Sequence, residues 1–259
     1  MLESEVTFII TPGSGDAILT KIKSLKSIGE YLFSPIKQQN IQDIYFDTEK
    51  SALESHQSAL RIRLLNNQTL ITLKGSEHPN RWGGINRMEI EEQWSQESLE
   101  IITSKLQEKG IIIPYEKEFF VQDNPVATFQ NMQLLAIQKR DTHRTTKDIT
   151  FSPNDKRPIT LAELAIDACK YYVSNKTINH IEIEMEMKSD LQQTHKISLV
   201  NIFMDTYKSR VQIWPHNKLS TGKAIAHLYA TGELSHLIRN NKHLNPEAYP
   251  LIDQYLSAT

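Results

Sequence analysis

Charged residues recur at even spacing along short segments of this chain, and that period restricts what the chain can fold into. Glu3 and Glu5, Arg61 and Arg63, Lys74, Arg87 with Glu89 and Glu91, Arg140 and Arg144, Glu163 and Asp167, and Glu182 with Glu184 and Glu186 all follow it. On a β-strand, residues two apart point to the same face. The positions between are largely apolar: Val6 and Phe8, Leu60 and Ile62, Ile71 and Leu73, Met88 and Ile90, Ile181, Ile183 and Met185. Each strand therefore has a greasy face and an ionic face. Acids and bases fall in separate clusters, which suits a site that binds a polyanion through Arg and Lys and a divalent cation through Glu.

Strands are expected over residues 3–10, 31–37, 40–47, 58–65, 69–75, 85–93, 117–122, 133–146, 159–168 and 179–188. Asn66-Asn67-Gln68 reads as a hairpin turn between two of them. Pro12, Gly13 and Gly15 break the first strand, and Asp16 is placed to cap a helix through about residue 28, with Ile18, Ile22, Leu25 and Ile28 on one stripe. A second helix is expected over 96–109, with Leu99, Ile102 and Leu106 on one side and Gly110 as a stop. From residue 190 the period changes: Ile197, Val200 and Met204 suit a helix ended by Pro215, and short helices fill 221–257. Strands in hairpin order followed by helices predict an α+β fold, a closed or nearly closed antiparallel barrel with flanking helices and a helical C-terminal segment. Closure would remove the edge strands.

Periodicity alone leaves two arrangements open. In the first, the charges face solvent and the apolar faces form an ordinary core, as half-exposed strands usually do. Two features favour the second, in which the charges line the barrel. Like charges on a solvated sheet repel and are normally interspersed, yet RIR and TLKG are basic and EIEMEM is acidic. Helices packed outside a barrel would also draw the apolar faces outward to meet them. A lumen of acids and bases is costly to desolvate unless the charges are paired, hydrated or bound to ligand and metal, so a water-filled channel is expected rather than a dry core.

Composition narrows the function classes. A chain of 259 residues can bury a large core. Its net charge of −2 excludes a globally basic surface that grips nucleic acid without sequence preference, and no nucleic-acid partner is expected. Cys169 is the only cysteine, which excludes an intrachain disulfide and a Cys-based zinc site. The start, Met-Leu-Glu-Ser-Glu, lacks the features of a secretory leader, and no apolar run approaches the ~18 residues of a membrane helix. A cytoplasmic protein with no membrane partner is expected. The His residues show no metal spacing such as HExxH, and there is no P-loop and no GxGxxG. His143 reads as a surface residue. Trp82 reads as a packing residue or loop anchor, with stacking on a base or thiamine ring as the alternative.

Ordered blocks of the chain resemble the CYTH, or triphosphate tunnel metalloenzyme, superfamily. Glu3-x-Glu5 is similar to the family's Glu-x-Glu-x-Lys strand, Tyr45-Phe46-Asp47-Thr48 to its YFDT segment, Ala59 to Arg63 to ALRIR, and Leu70 to Gly75 to LTLKG. Arg87-x-Glu89-x-Glu91, Leu161 to Asp167 (ELALD-like), Ile181 to Glu186 (IEIELE-like) and the Ser-Lys-like Pro215-His216-Asn217-Lys218-Leu219 follow in order. The resemblance implies an eight-stranded antiparallel β-barrel forming a tunnel over residues 1–220, with residues 221–259 as a helical extension packed on the same domain. It implies a triphosphate-containing small molecule inside and Mg²⁺ or Mn²⁺ on carboxylates, in a monomer or homodimer. Known members include inorganic triphosphatases, thiamine triphosphatases, class IV adenylyl cyclases and RNA triphosphatases.

On this basis Arg61, Arg63, Lys74, Arg87, Arg140, Arg144 and Lys218 are the expected phosphate-binding residues, because guanidinium groups donate paired hydrogen bonds to phosphate oxygens. Their alternative role is pairing with carboxylates across the barrel. Glu3, Glu5, Glu89, Glu91, Asp167, Glu182 and Glu184 are the expected metal ligands. Glu5, Glu184, Arg61 and Lys74 are the expected catalytic residues. Glu163 and Glu186 rank below these as structural ion-pair partners. The chain departs from the family at its first-strand lysine, which is Thr7 here; one phosphate contact is lost or supplied from elsewhere. The expected activity is metal-dependent hydrolysis of a triphosphate, with inorganic triphosphate the simplest substrate. A class IV adenylyl cyclase, a thiamine triphosphatase and a non-catalytic polyphosphate or nucleotide sensor are the alternatives.

Overall fold

The structure is a computed structural model that describes residues 2–12, 17–152, 157–188 and 193–258. The break at Gly13 and Gly15 and the cap at Asp16 lie outside the described residues. In chain order the elements are β1 (Leu2–Ile10), α1 (Ala17–Ser24), β2 (Ser27–Ile28), β3 (Tyr31–Phe33), β4 (Lys37–Thr48), α2 (Ala52–Ser55), β5 (Ala59–Leu65), β6 (Gln68–Lys74), β7 (His78–Pro79) and β8 (Ile85–Gln93). Then come α3 (Gln96–Glu108), α4 (Pro125–Asn131), β9 (Leu134–Phe151), β10 (Ile159–Val173), β11 (Lys176–Met187), α5 (Gln193–Thr206), β12 (Val211–Ile213), α6 (Lys218–Ala230) and α7 (Tyr249–Ala258). The sheet runs β10-β11-β1-β8-β6-β5-β4-β9, and β9 also pairs with β10. The path closes, giving an eight-stranded antiparallel β-barrel in an α+β fold. Among the described residues, no helix is long and apolar enough to cross a membrane.

Local sequence explains most element ends. Asn66 and Asn67 both take positive φ, 49° and 66°, which is the geometry of the two-residue turn that matches strand twist. That turn fixes the β5–β6 register with Arg61 opposite Thr72 and Ala59 opposite Lys74. Ser95 caps α3 by accepting from the Ser98 backbone N–H, while the Ser98 side chain accepts from the Ser95 N–H. Gly110, at φ 80°, follows the last turn of α3.

Three expectations need correction. Residues 117–122 do not form a strand; Lys117–Phe119 is a 3-10 turn leading into α4, which Asn124 caps and Pro125 opens. Adjacent Phe119 and Phe120 both pack on one core, which the alternation of a strand forbids. The first helix stops at Ser24 instead of 28, because Ser27–Ile28 turns through Gly29 (φ 54°) to pair with β3. The helix carrying Ile197, Val200 and Met204 ends at Thr206, well before Pro215; Val211–Ile213 returns to pair with β1, with Phe8 opposite Ile213.

Contacts divide the chain into two compact units: residues 1–3, 40–78 and 86–141, and residues 4–39, 79–85 and 142–259. In the first unit, Leu60 and Ile62 of β5, Ile71 and Leu73 of β6 and Met88 and Ile90 of β8 form one core with Leu99, Ile102 and Leu106 of α3. The even-spaced charges of those strands consequently point away from the helix. In the second unit, Val6, Phe8, Leu164, Ile166, Ile183 and Met185 pack with Ile18 and Ile22 of α1 and Leu199, Val200 and Phe203 of α5. Asp167, Glu182 and Glu184 occupy the opposite strand faces. A separate core in this unit joins Ile9, Cys169, Tyr171 and Ile178 to Trp214, α6 and α7.

Trp82 is a packing residue, buried in the core beside β1. Gly84 allows the chain to pass that strand: a Cβ there would sit 2.0 Å from the Glu5 carbonyl oxygen and 2.7 Å from the Trp82 ring. Gly84→Ala is expected to destabilise the protein by about 1–3 kcal/mol through overpacking, read as a lower urea midpoint at unchanged m-value.

Candidate functional site

The first unit carries a continuous ionic network on β4, β5, β6 and β8. Asp43 is fully buried and is its hub. Arg63 donates to both Asp43 oxygens at 2.8 and 3.1 Å, and Arg140 donates to Oδ2 at 2.5 Å. The β4–β5 register places Asp43 opposite Arg63 and Tyr45 opposite Arg61. Burial alone would raise the Asp43 pKa, but Arg63, Arg61 and Arg140 together hold it well below the usual carboxylate range. Arg61 donates through Nε to Thr72 Oγ1 at 3.2 Å and through Nη2 to Glu91 at 3.2 Å; Thr72 in turn donates to Glu91 at 2.8 Å. Lys74 meets Glu3 at 3.0 Å and Glu89 at 3.2 Å. Arg87 pairs with Glu3 at 2.6 Å and with Glu77 at 2.7 Å. Between Arg63 and Arg87, four cations thus occupy one face of β5, β6 and β8, and each lies against carboxylates.

Tyr45 ties two of the guanidiniums together. Its hydroxyl oxygen accepts from Arg61 Nη1 and Arg140 Nη2, each at 3.2 Å. Burial would raise the Tyr45 pKa, but Arg140 and Arg61 outweigh it and bring it down to about 8. A depressed acid favours the folded state most when ionised, so the contribution of Tyr45 to stability is complete above its unfolded pKa of 10.0 and fades as pH falls through about 8. The wild-type-minus-Tyr45→Phe difference absorbance of tyrosinate is expected to rise near pH 8, not near 10.

The second unit gathers the opposite charge. One oxygen from each of Asp167, Glu182 and Glu184 lies within 4.8 Å of the others. The register of β10 with β11 accounts for this, with Asp167 opposite Glu182 and Ala165 opposite Glu184. Arg144 binds both Asp167 oxygens at 2.8 and 2.6 Å and reaches Glu184 at 2.8 Å. Lys218, the first residue of α6, extends its ammonium to Asp167 at 3.0 Å and also pairs with Glu182 and Glu184. Asn217 caps α6 by accepting from Ser220 N–H, and Tyr171 donates to the Lys218 carbonyl at 2.9 Å, so the lysine backbone is fixed. Burial opposes the charge on Lys218, yet Glu182, Glu184 and Asp167 hold its pKa well above the lysine norm. Burial likewise opposes ionised Glu182, but Lys218 and His180 bring its pKa down to about 2. Asp167 is lowered too: Arg144 and Lys218 outweigh its burial.

Hard oxygen donors of this kind fit Mg²⁺ or Mn²⁺. Three carboxylates clustered against Arg144 and Lys218 leave net negative charge at the spot, and a divalent ion that took the place of the Lys218 ammonium would neutralise it. The Lys218 ammonium touches all three, so a metal ion would have to displace it from part of the cluster.

The remaining expected residues fall as follows. Glu5 is buried on β1, opposite Glu186 of β11, and Thr7 is buried opposite Glu184. Glu186 also pairs with Lys188 at 2.7 Å. Glu89 and Glu91 lie against Arg61 in the first unit, and Glu3 lies against Lys74 and Arg87. His143 is exposed. Asp47 of the YFDT segment is a backbone anchor: its carboxylate accepts from the N–H groups of Thr48, Leu53 and Glu54. Sequence reasoning missed Asp43, Thr72, Glu77, His180 and Tyr249. Asp43 lies two residues before Tyr45, and only the β4–β5 register sets it opposite Arg63.

A charged antiparallel barrel with a basic network and an acidic triad defines the class. The CYTH domain family model matches residues 1–208, and the chain belongs to that family. No curated protein matches it in sequence. Among solved structures it is similar to a Hippeastrum protein named as a candidate adenylyl cyclase with a dominant triphosphatase activity, at 18% identity, TM-score 0.50, and coverage of 90% of this chain and 97% of that one. It is also similar to a candidate adenylate cyclase of Bacillus halodurans, at 18% identity, TM-score 0.44 and coverage of 84% and 96%. The RNA triphosphatase Pct1 of S. pombe matches at 10% identity, TM-score 0.37 and coverage of 80% and 83%.

Proposed function

We propose that the protein hydrolyses a triphosphate with the help of a divalent cation, with inorganic triphosphate the simplest substrate. The observation that carries this reading is the row of Arg61, Arg63, Lys74 and Arg87, two of them buried and two half-buried, four cations on adjacent strands with acceptors a polyphosphate can replace. CYTH membership supports it. Arg61 and Arg63 present guanidinium edges that bind phosphate oxygens in pairs, and Lys74 adds a point charge. Arg61 and Lys74 stabilise charge that develops as water attacks in line at the terminal phosphorus. Within the second unit, Arg144 and Lys218 are the cations suited to phosphate oxygens. Asp167, Glu182 and Glu184 would hold Mg²⁺ or Mn²⁺, which when bound neutralises charge on phosphate oxygens. Glu5 and Glu184 are the carboxylates assigned to orient the attacking water.

A second reading, a polyphosphate or nucleotide sensor, is favoured by Thr7, which leaves one family cation missing. A phosphate-release screen over tripolyphosphate, thiamine triphosphate and ATP with Mg²⁺ and Mn²⁺ decides. Release from tripolyphosphate, lost in Glu5→Gln, supports the hydrolase; cyclic AMP from ATP supports a cyclase. Binding without turnover under both metals supports the sensor.

A further inference from the structure

The acidic triad is braced from behind by two residues that the proposed reaction does not use. His180 is fully buried on β11, two residues before Glu182. Its Nε2 lies 2.9 Å from Glu182 Oε2, and its Nδ1 lies 2.9 Å from the hydroxyl of Tyr249, the first residue of α7. The Tyr249 hydroxyl is also 3.2 Å from the Ile181 carbonyl. An ionised carboxylate only accepts, so Nε2 carries the proton shared with Glu182. The Tyr249 O–H donates to the Ile181 carbonyl, and its oxygen holds the Nδ1 side of the ring at 2.9 Å. Glu182 Oε1 meets Lys218 instead. The two oxygens of Glu182 thus have separate duties: one is tied through His180 to α7, and the other is left to face a cation.

We propose that His180 and Tyr249 are positioning residues that fix the rotamer of Glu182 and so tune cation binding at the Asp167–Glu182–Glu184 cluster. The inference rests on the proposal that this cluster takes a divalent ion. Groups behind a ligand orient it and raise its basicity, and their loss typically weakens metal affinity or activity by 10–100-fold. The arrangement also makes α7, which follows the family-matched residues 1–208, part of the site. A buried histidine serving packing alone would leave cation affinity unchanged when replaced.

The test is calorimetric titration of Mn²⁺ into the full chain, beside thermal melts of each variant. His180→Leu is expected to weaken Mn²⁺ binding by about 10–100-fold. His180→Gln keeps a donor for Glu182 and should recover most of the loss. Tyr249→Phe removes one hydroxyl and should weaken binding several-fold with the fold intact, so it decides alone if His180→Leu does not fold. Variants that melt lower yet bind Mn²⁺ within twofold of wild type overturn the inference and leave the proposed function standing. Wild type that binds no Mn²⁺ overturns both.

Discussion

Asp43→Ala is expected to remove about 3–5 kcal/mol of folding stability, the range for deleting one member of a buried ion cluster. Asp43 is fully buried and accepts from Arg63 and Arg140, with Arg61 3.9 Å away. Deleting it leaves three guanidiniums facing one another without their shared anion. The side chain itself is small, so lost packing contributes little to the effect. Asp43→Asn keeps the shape and one acceptor oxygen, and should fall between wild type and Asp43→Ala. Urea denaturation measures this; a loss under about 1 kcal/mol would mean that water or other acceptors already compensate the guanidiniums. Added tripolyphosphate should restore part of the stability of Asp43→Ala, because a bound anion stabilises the folded state by mass action.

Glu184→Gln is expected to lower metal-dependent phosphate release at least about a hundredfold, since a bound cation supplies several kcal/mol of charge stabilisation and each 1.4 kcal/mol is tenfold. Glu184 is one of the three carboxylates in reach of one another, and it also pairs with Arg144 and Lys218. The substitution therefore weakens the cation site and leaves Arg144 and Lys218 with one carboxylate fewer each. Mn²⁺ affinity should fall with the rate, whereas binding of metal-free tripolyphosphate should hold or tighten. A variant with unchanged Mn²⁺ affinity and a reduced rate would assign Glu184 to water activation alone. A variant with wild-type rate would remove it from the site.

Much of this was legible because the two periods involved are short. Even-spaced charges alternating with Leu, Ile and Met gave β5, β6, β8, β10 and β11 and the faces they present. The α3 stripe of Leu99, Ile102 and Leu106 showed where the greasy faces go. The closed barrel followed from hairpin order. Residues 117–122 misled because aromatic-rich segments favour strands locally, and only the shared core under α3 and α4 shows that adjacent Phe119 and Phe120 both turn inward. Asp43 was overlooked because one acid among Asn, Gln and Ile carries no pattern of its own; it becomes visible only with the register that sets it opposite Arg63. His180 and Tyr249 are 69 positions apart, a separation that no spacing rule spans. Thr7 was seen as a departure, and the strand pairing adds that it faces Glu184, which Lys218 already neutralises.

The central claim is that the cation row of Arg61, Arg63, Lys74 and Arg87 binds a triphosphate. Calorimetric titration of tripolyphosphate into the wild-type chain and Arg61→Ala, with and without Mn²⁺, tests it most directly. The expected result is saturable one-to-one binding that Mn²⁺ strengthens and Arg61→Ala weakens at least tenfold. No saturable heat for wild type under either condition would contradict the claim.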